Sequence, residues 1–217
     1  EGSAFLGGIS TNFASNLVLG EGRRLVVEAD EYDRSFLRLW PDVAVITATD
    51  ADHLDIYGTA EAMVEAFEQF ASQIKEGGSL ILKQGVAFHF DTKGRNLYRY
   101  SCDAGGDFHA ENITLREDGL YRYDIVTPEE RIEGCVLGIP GKVHIENSVA
   151  AVAMLWCATK IEGKAFDTAA VASALARFEG VKRRMEVYIN TPTQVYIDDY
   201  AHHPEELRAT IESLRSI

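Results

Sequence analysis

The sequence has few cysteines, little positive charge and no long apolar run. Its three cysteines are an odd number without CxxC spacing among 217 residues, so neither a disulfide framework nor a zinc ribbon is expected. The formal net charge of -13 argues against a nucleic-acid surface, although metal ions can still bridge acidic side chains to a nucleotide. No segment has the length of a membrane span and no signal segment opens the chain, so we expect a cytoplasmic protein.

Hydrophobic patterning predicts strands that alternate with helices. Apolar runs predict strands at 24–29, 43–47 and 79–83, and a helix is expected from Thr59 to about Lys75, ended by Gly77-Gly78. A strand, a helix and a strand at this spacing form a parallel crossover. A short helical stretch is also expected at 33–39.

The second half of the chain has a different pattern. Short aromatic and β-branched runs from about 97 to 138 predict an antiparallel β portion, with Asp118-Gly119 as a hairpin turn. Helices are predicted at about 145–160 and 167–177, and another begins near Pro204. The predicted fold class is α/β, with a mostly parallel sheet flanked by helices and an antiparallel β portion.

Three clusters of polar residues follow predicted strands. Because ligands bind beyond the carboxyl ends of strands in open parallel sheets, we expect the clusters to converge. Mg²⁺ takes oxygen ligands, including one or two carboxylates, so the clusters suit a magnesium phosphate site. The alternatives are helix caps and solvated loops, and a histidine that serves only as a hydrogen-bond partner. The clusters are Glu28, Asp30, Glu31 and Asp33; Asp50, Asp52, His53 and Asp55; and Asp198, Asp199, His202 and His203.

Two further features suit a nucleotide. Asn147 is expected in the first turn of a predicted helix rich in small residues, and its amide matches the edge of adenine, unless it is a capping or surface residue. Arg183 and Arg184 form a pair in a loop. Guanidinium groups bind phosphate and carboxylate oxygens in a bidentate manner, and the alternative is a solvated surface pair.

Taken together, five motifs resemble those of the Mur ligases, in the order in which that family has them. The resemblance extends over nearly the whole chain, and its specificity comes from the combination, since each motif by itself is weak. The motifs are AFLGGIS (4–10), VVEADEYDRSFL (26–37), DADHLDIYG (50–58), FEGVKRRME (178–186) and DDYAHHPEEL (198–207).

The resemblance implies a domain plan and an activity. Residues 1–185 are expected to belong to a central ATP-binding domain and 186–217 to begin a Rossmann-like C-terminal ligase domain. The implied enzyme uses ATP and Mg²⁺ to join L-alanine to the lactyl carboxylate of UDP-N-acetylmuramate, in peptidoglycan precursor synthesis. No nucleic-acid or membrane partner is implied, and we expect a monomer or weak homodimer.

The resemblance also implies roles for individual residues. Asp50 and Asp52 are expected to orient His53, whereas Asp30 and Asp33 cap the helix that follows them. The implied roles are Glu28 as a ligand of Mg²⁺ between the β- and γ-phosphates, His53 at a second Mg²⁺, Asn147 on adenine, Arg184 on phosphate, Asp199 on ribose and His202 in the cleft near the substrate.

The chain departs from the family pattern in two places. The phosphate loop, GxxxxGK[ST], occurs nowhere in the 217 residues, so we expect the chain by itself to be inactive. The usual His-Asn pair is replaced by Val143-His144, which leaves His144 without an implied role while Asn147 stays aligned.

Three other readings of the sequence stay open. A related ligase attaches a recycled murein tripeptide to UDP-N-acetylmuramate. A metal-dependent phosphohydrolase would use the Asp and His clusters to activate water and would release phosphate without any amino acid. A non-catalytic segment would only bind a nucleotide or a partner.

Overall fold

The computed structural model describes residues 2–49, 54–202 and 204–215. These residues form eleven strands in four small sheets, five α-helices and a 3-10 helix, Ser35–Arg38. The strands are β1 (Ser3–Ser10), β2 (Ser15–Val18), β3 (Leu25–Val27), β4 (Val43–Ile46), β5 (Ser79–Lys83), β6 (Asn96–Tyr100), β7 (His109–Leu115), β8 (Tyr121–Val126), β9 (Arg131–Val136), β10 (Glu186–Asn190) and β11 (Val195–Asp198). The α-helices are α1 (Leu54–Tyr57), α2 (Ala60–Ser72), α3 (Val143–Ile161), α4 (Thr168–Ala176) and α5 (Pro204–Arg215).

The parallel sheet has β5 at its centre, between β4 and β6. Leu80 and Leu82 contribute to the core cluster that includes α2, whereas Ile81 contributes to the cluster that includes α3. Successive residues of a strand face opposite sides of the sheet, so the two helices cover its two faces. Burial on both faces explains the uninterrupted apolar run, and the bounds predicted for this strand are confirmed.

Helix α2 begins as predicted but ends earlier. The Thr59 side chain accepts a hydrogen bond from the Ala62 amide at 3.1 Å and caps the helix. The last helical residue is Ser72, so the prediction that Gly77-Gly78 caps the helix is wrong. The glycines instead form the turn into β5, where a Cβ atom on Gly78 would lie 2.5 Å from the Asp42 carbonyl oxygen.

Helix α3 is buried between the parallel sheet and β7. Ile145, Val149 and Ala153 are fully buried on it. A helix enclosed in this way is apolar around most of its circumference. The hydroxyl groups of Ser148 and Tyr123 lie 2.7 Å apart, so the helix is also hydrogen-bonded to the antiparallel sheet.

The antiparallel sheet contains β7, β8 and β9 in that order. Gly119 adopts φ 80° and the Asp118 carboxylate accepts the Leu120 amide at 3.1 Å, so the predicted turn is confirmed. The antiparallel portion starts at His109 and not near 97, because β6 pairs in parallel with β5. Residue alternation within a strand does not reveal the direction of its neighbour, which is why this assignment was wrong.

The remaining strands form two smaller sheets. β1 pairs with β2 in antiparallel and with β3 in parallel orientation, and β10 and β11 form an antiparallel hairpin before α5. Large apolar side chains such as Phe5 and Leu25 are exposed on the first of these sheets. Within the described ranges, no helix combines the length and apolar character needed to cross a bilayer.

Candidate functional site

The first and third polar clusters follow strands of different sheets. Glu28 comes directly after β3, which pairs with β1, whereas Asp199 follows β11, which is antiparallel to β10. These two clusters therefore do not follow strands of the β4–β5–β6 sheet. An apolar run identifies a strand but does not identify its partners. Asp50, Asp52, His53 and His203 lie outside the described residues.

Glu28 is held against the backbone of β1. Its Oε2 atom accepts a hydrogen bond from the Gly7 amide at 2.7 Å, and its own amide donates to the Phe5 carbonyl at 2.9 Å. A Cβ atom on Gly7 would lie 2.6 Å from the Glu28 carboxylate carbon, so only glycine accommodates the carboxylate in this position. The side chain is otherwise exposed and can reach a ligand.

Gly8, the next residue of β1, leaves room for the loop that carries Arg183 and Arg184. A Cβ atom on Gly8 would lie 2.5 Å from Val181 Cγ1. The Lys182 amide donates to the Ile9 carbonyl at 2.9 Å, which fixes the loop beside the strand. Since successive residues of a strand face opposite sides, Glu28 and this loop approach β1 from opposite faces.

The remaining residues of the first cluster organise a turn. Asp30 accepts the Tyr32 amide at 3.0 Å, and Asp33 accepts the Ser35 amide at 2.8 Å. The hydrogen bonds from Ser35 lower the pKa of Asp33 below its ordinary value. Both carboxylates thus cap turns, although Arg34 is the residue at the N-cap of the 3-10 helix.

This turn packs against the segment that follows His53 in the chain. The Tyr57 hydroxyl donates to the Glu31 carbonyl at 2.6 Å, and the Arg34 guanidinium lies 4.8 Å from the centre of the Tyr57 ring. Tyr57 is 5% exposed and ends α1, whose first residue directly follows His53. The turn formed by the first cluster and helix α1 are therefore neighbours.

Asp199 is the most fully hydrogen-bonded carboxylate of the third cluster. Its Oδ1 atom accepts the Ala201 amide at 2.8 Å. Its Oδ2 atom accepts the Met185 amide at 3.2 Å and the Thr210 hydroxyl at 3.3 Å. The carboxylate thereby joins the end of the arginine loop to α5.

Arg184 and His202 meet at Glu206, in the first turn of α5. Arg184 Nη1 lies 3.5 Å from Glu206 Oε1, and the His202 amide donates to Glu206 Oε2 at 3.1 Å. The His202 ring nitrogen Nδ1 lies 3.1 Å from the Tyr200 carbonyl oxygen. The structure thus brings Arg184, Asp199 and His202 together around the start of α5.

Asn147 and His144 lie at the beginning of α3. Asn147 is exposed and is the fifth residue of the helix, so it belongs to the second turn and not to the first as expected. His144 Nε2 is buried and has no hydrogen-bond partner among the described residues. Burial lowers the pKa of His144, while the charge of Asp199 raises it and that of Arg184 lowers it. His144 therefore lies within electrostatic range of the third cluster.

A cavity of about 260 Å³ lies between α5 and the start of α3. Lys142, Glu146 and Glu212 are among the residues that line it, and Asn147, Arg184, Asp199 and His202 are not. In the described part of the chain, no group of three or more His, Cys, Asp or Glu side chains forms a metal site.

Sequence reasoning missed Gly7, Glu206 and Thr210 as residues that hold the site. Gly7 is part of a quoted motif, but nothing in the sequence showed that Glu28 approaches it. Glu206 and Thr210 are four positions apart, which places them on one face of a helix. That spacing, on the helix predicted to begin near Pro204, was the sequence signal that could have identified these two residues.

Two family models match the chain. The model described as "Mur ligase middle domain" matches residues 11–155, which is more than half of the chain, and the one described as "Mur ligase, glutamate ligase domain" matches 183–217. The Parabacteroides distasonis protein named UDP-N-acetylmuramate--L-alanine ligase is 46% identical over 99% of this chain and 46% of its own length. The Porphyromonas gingivalis (strain W83) protein of that name is 44% identical over 99% of this chain.

Solved structures agree with these matches. The UDP-N-acetylmuramate-alanine ligase from Thermotoga maritima has a TM-score of 0.77 and 25% identity, over 99% of this chain and 47% of that one. A murein peptide ligase from Psychrobacter arcticus has a TM-score of 0.65 over 99% of this chain and 48% of that one, but only 20% identity, and shows the shared fold alone. This chain spans about half the length of the curated relatives it matches. It belongs to the Mur ligase family.

Proposed function

We propose that the complete protein is an ATP-dependent ligase that joins L-alanine to the lactyl carboxylate of UDP-N-acetylmuramate. The observation that carries the proposal is 46% identity, over 99% of this chain, to a relative that is named for that reaction. The murein peptide ligase, which represents the alternative activity, is 20% identical to this chain. The arrangement of Arg184, Asp199 and His202 around α5 supports a nucleotide site on the same chain.

The proposed chemistry activates a carboxylate by phosphorylation. A carboxylate is a poor acyl donor at neutral pH, so the γ-phosphoryl group of ATP is first transferred to the lactyl carboxylate. The amine of L-alanine then attacks the acyl phosphate, and ADP and phosphate are released. Phosphoryl transfer depends mainly on positioning and on the neutralisation of charge, which are the tasks of the side chains at the site.

Glu28 fits the requirements of a Mg²⁺ ligand. Its Oε2 atom is bound to the Gly7 amide, and among the described residues no hydrogen bond reaches Oε1. Mg²⁺ is commonly held by one or two carboxylates, with substrate phosphates and water completing the octahedron, so a single exposed carboxylate is sufficient. Glu28 and His53 would hold the metal, which neutralises phosphate charge when bound.

The other residues would bind the nucleotide and the substrate. Arg184 contacts a phosphate, and its guanidinium gives up the 3.5 Å contact to Glu206 in order to do so. Asp199 accepts hydrogen bonds from the ribose, Asn147 pairs with the edge of adenine, and His202 lines the cleft near the substrate. Residues 1–185 would form the ATP-binding domain and 186–217 the start of the C-terminal domain, in a protein that acts in the cytoplasm.

The test is ADP release by the complete gene product, supplied with ATP, Mg²⁺ and UDP-N-acetylmuramate. We expect release to depend on L-alanine. Release that depends on a murein tripeptide instead would support the related ligase, and phosphate release without any amino acid would support a phosphohydrolase. Either result would overturn the proposal, as would the absence of turnover.

A further inference from the structure

The Asp199 carboxylate is held from three directions. Two of its hydrogen bonds come from the backbone, from Met185 at 3.2 Å and Ala201 at 2.8 Å, and the third comes from the Thr210 side chain at 3.3 Å. Both backbone donors lie close to the β10–β11 hairpin. Thr210 is thus the contact in this set that ties the carboxylate to α5.

Glu206 lies one helical turn before Thr210. It accepts the His202 amide at 3.1 Å and is 3.5 Å from Arg184. Because residues four apart share a helix face, Glu206 and Thr210 lie side by side on α5. This face of α5 therefore contacts Arg184, Asp199 and His202, the three candidate site residues in the C-terminal part of the chain.

We propose that Thr210 is a positioning residue, which orients the Asp199 carboxylate for the nucleotide ribose, with Glu206 acting in the same way on His202. The inference rests on the proposed function, because it requires Asp199 to bind ribose. Thr210 acts through Asp199 and does not itself contact the ligand.

The hydrogen-bond capacity of the carboxylate supports this assignment. An ionised carboxylate has about four acceptor positions. The three donors in the structure leave room for a ribose hydroxyl. The Ala201 and Met185 amides each bind one oxygen, and Thr210 adds a second donor to Oδ2. The remaining acceptor position then has a fixed direction, and without Thr210 the carboxylate plane is less constrained.

A purely structural role for Thr210 is the competing explanation. In that case, removal of the hydroxyl would lower the stability of α5 and would affect all nucleotides equally. A positioning role instead predicts an effect confined to nucleotides that carry ribose hydroxyls. Comparison of ATP with 2′,3′-dideoxy-ATP separates the two roles, since the two nucleotides share the base and the triphosphate.

The experiment measures kcat and KM for both nucleotides in the complete gene product and in three variants. Thr210→Val removes the hydroxyl with little change of volume, and Thr210→Ser retains it. Thr159→Val is the matched control, because the Thr159 hydroxyl is also part-buried and donates within α3, to the Leu155 carbonyl. Thermal unfolding confirms that each variant is folded, and Thr210→Ala replaces Thr210→Val if that variant is not.

We expect Thr210→Val to raise the KM for ATP by roughly three- to tenfold, a fraction of the effect of losing a full hydrogen bond to a charged group. The kcat of Thr210→Val and its KM for dideoxy-ATP should stay within about twofold of the values for the unchanged protein. Thr210→Ser and Thr159→Val should discriminate between the two nucleotides as the unchanged protein does. An unaltered ratio of the two KM values in Thr210→Val would overturn the inference, as would an unchanged protein that does not discriminate. Absence of alanine-dependent turnover in the unchanged protein would instead refute the proposed function.

Discussion

The two sides of the candidate site are held by different kinds of contact. Glu28 is bound by a backbone amide, at a position where the neighbouring strand has no side chain. Asp199 and His202 are bound in part by side chains of α5. The Glu28 side therefore leaves no room for a side chain at Gly7, whereas the other side depends on functional groups of α5 that conservative substitutions can alter.

Loss of Glu28 is expected to have the largest effect. The substitutions Glu28→Ala and His53→Ala, made separately, should each lower alanine-dependent ADP release in the complete gene product by roughly 100- to 1,000-fold. The reason is that a catalytic metal supplies several kcal/mol. Asp33→Asn is the control, since Asn keeps the oxygen that accepts the Ser35 amide. Near-normal turnover in Glu28→Ala would remove Glu28 from the metal site.

Gly7→Ala tests whether the backbone of β1 sets the position of Glu28. The added methyl group would displace the flexible carboxylate without disturbing the core, so turnover should fall roughly 10- to 100-fold, the effect of a misplacement of about 1 Å. The thermal unfolding midpoint should change little. Glu28→Asp in the same protein shortens the side chain and should recover part of the activity. Full activity in Gly7→Ala would contradict this account.

Glu206→Ala tests the other side with a smaller expected effect. The substitution removes the acceptor of the His202 amide and the partner of Arg184, so the KM for ATP should rise roughly threefold, as expected for a partly exposed contact. Glu206→Gln keeps an acceptor for the His202 amide and separates the two contributions. If alanine and glutamine have equal effects, the hydrogen bond to His202 has no role and only the charge matters.

His144 should make stability depend on pH. Burial lowers its pKa in the folded protein below the ordinary value of 6.5, so the unfolded chain binds more protons just below that pH. Stability should therefore fall as the pH falls below 6.5, until the lowered pKa is passed, by at most about 1.4 kcal/mol per pH unit. The thermal unfolding midpoint of His144→Asn should fall less between pH 7.5 and 5.5. Parallel curves for the two proteins would refute the assignment to His144.

Local signals in the sequence predicted individual elements well. The run SLILK gave the bounds of β5 because a strand buried on both faces is continuously apolar. Thr59 and Pro204 marked the starts of α2 and α5, since capping and first-turn preferences are local properties. Asp118-Gly119 identified the turn between β7 and β8 for the same reason.

Partners in space could not be predicted in this way. The sequence did not show that β6 pairs in parallel with β5, or that β3 pairs with β1. The approach of Glu28 to Gly7 and of Thr210 to Asp199 also spans distant parts of the chain. Family resemblance pointed to the candidate site residues because it carries three-dimensional information, but it did not point to the residues that contact them.

Glu28 and the cluster of Arg184, Asp199 and His202 are proposed to serve one bound nucleotide. A crystal structure of the complete gene product with a non-hydrolysable ATP analogue and Mg²⁺ tests it most directly. We expect a Glu28 oxygen at about 2.1 Å from Mg²⁺ and an Asp199 oxygen within hydrogen-bond distance of a ribose hydroxyl of the same nucleotide. A nucleotide that contacts only one of these two carboxylates would contradict it.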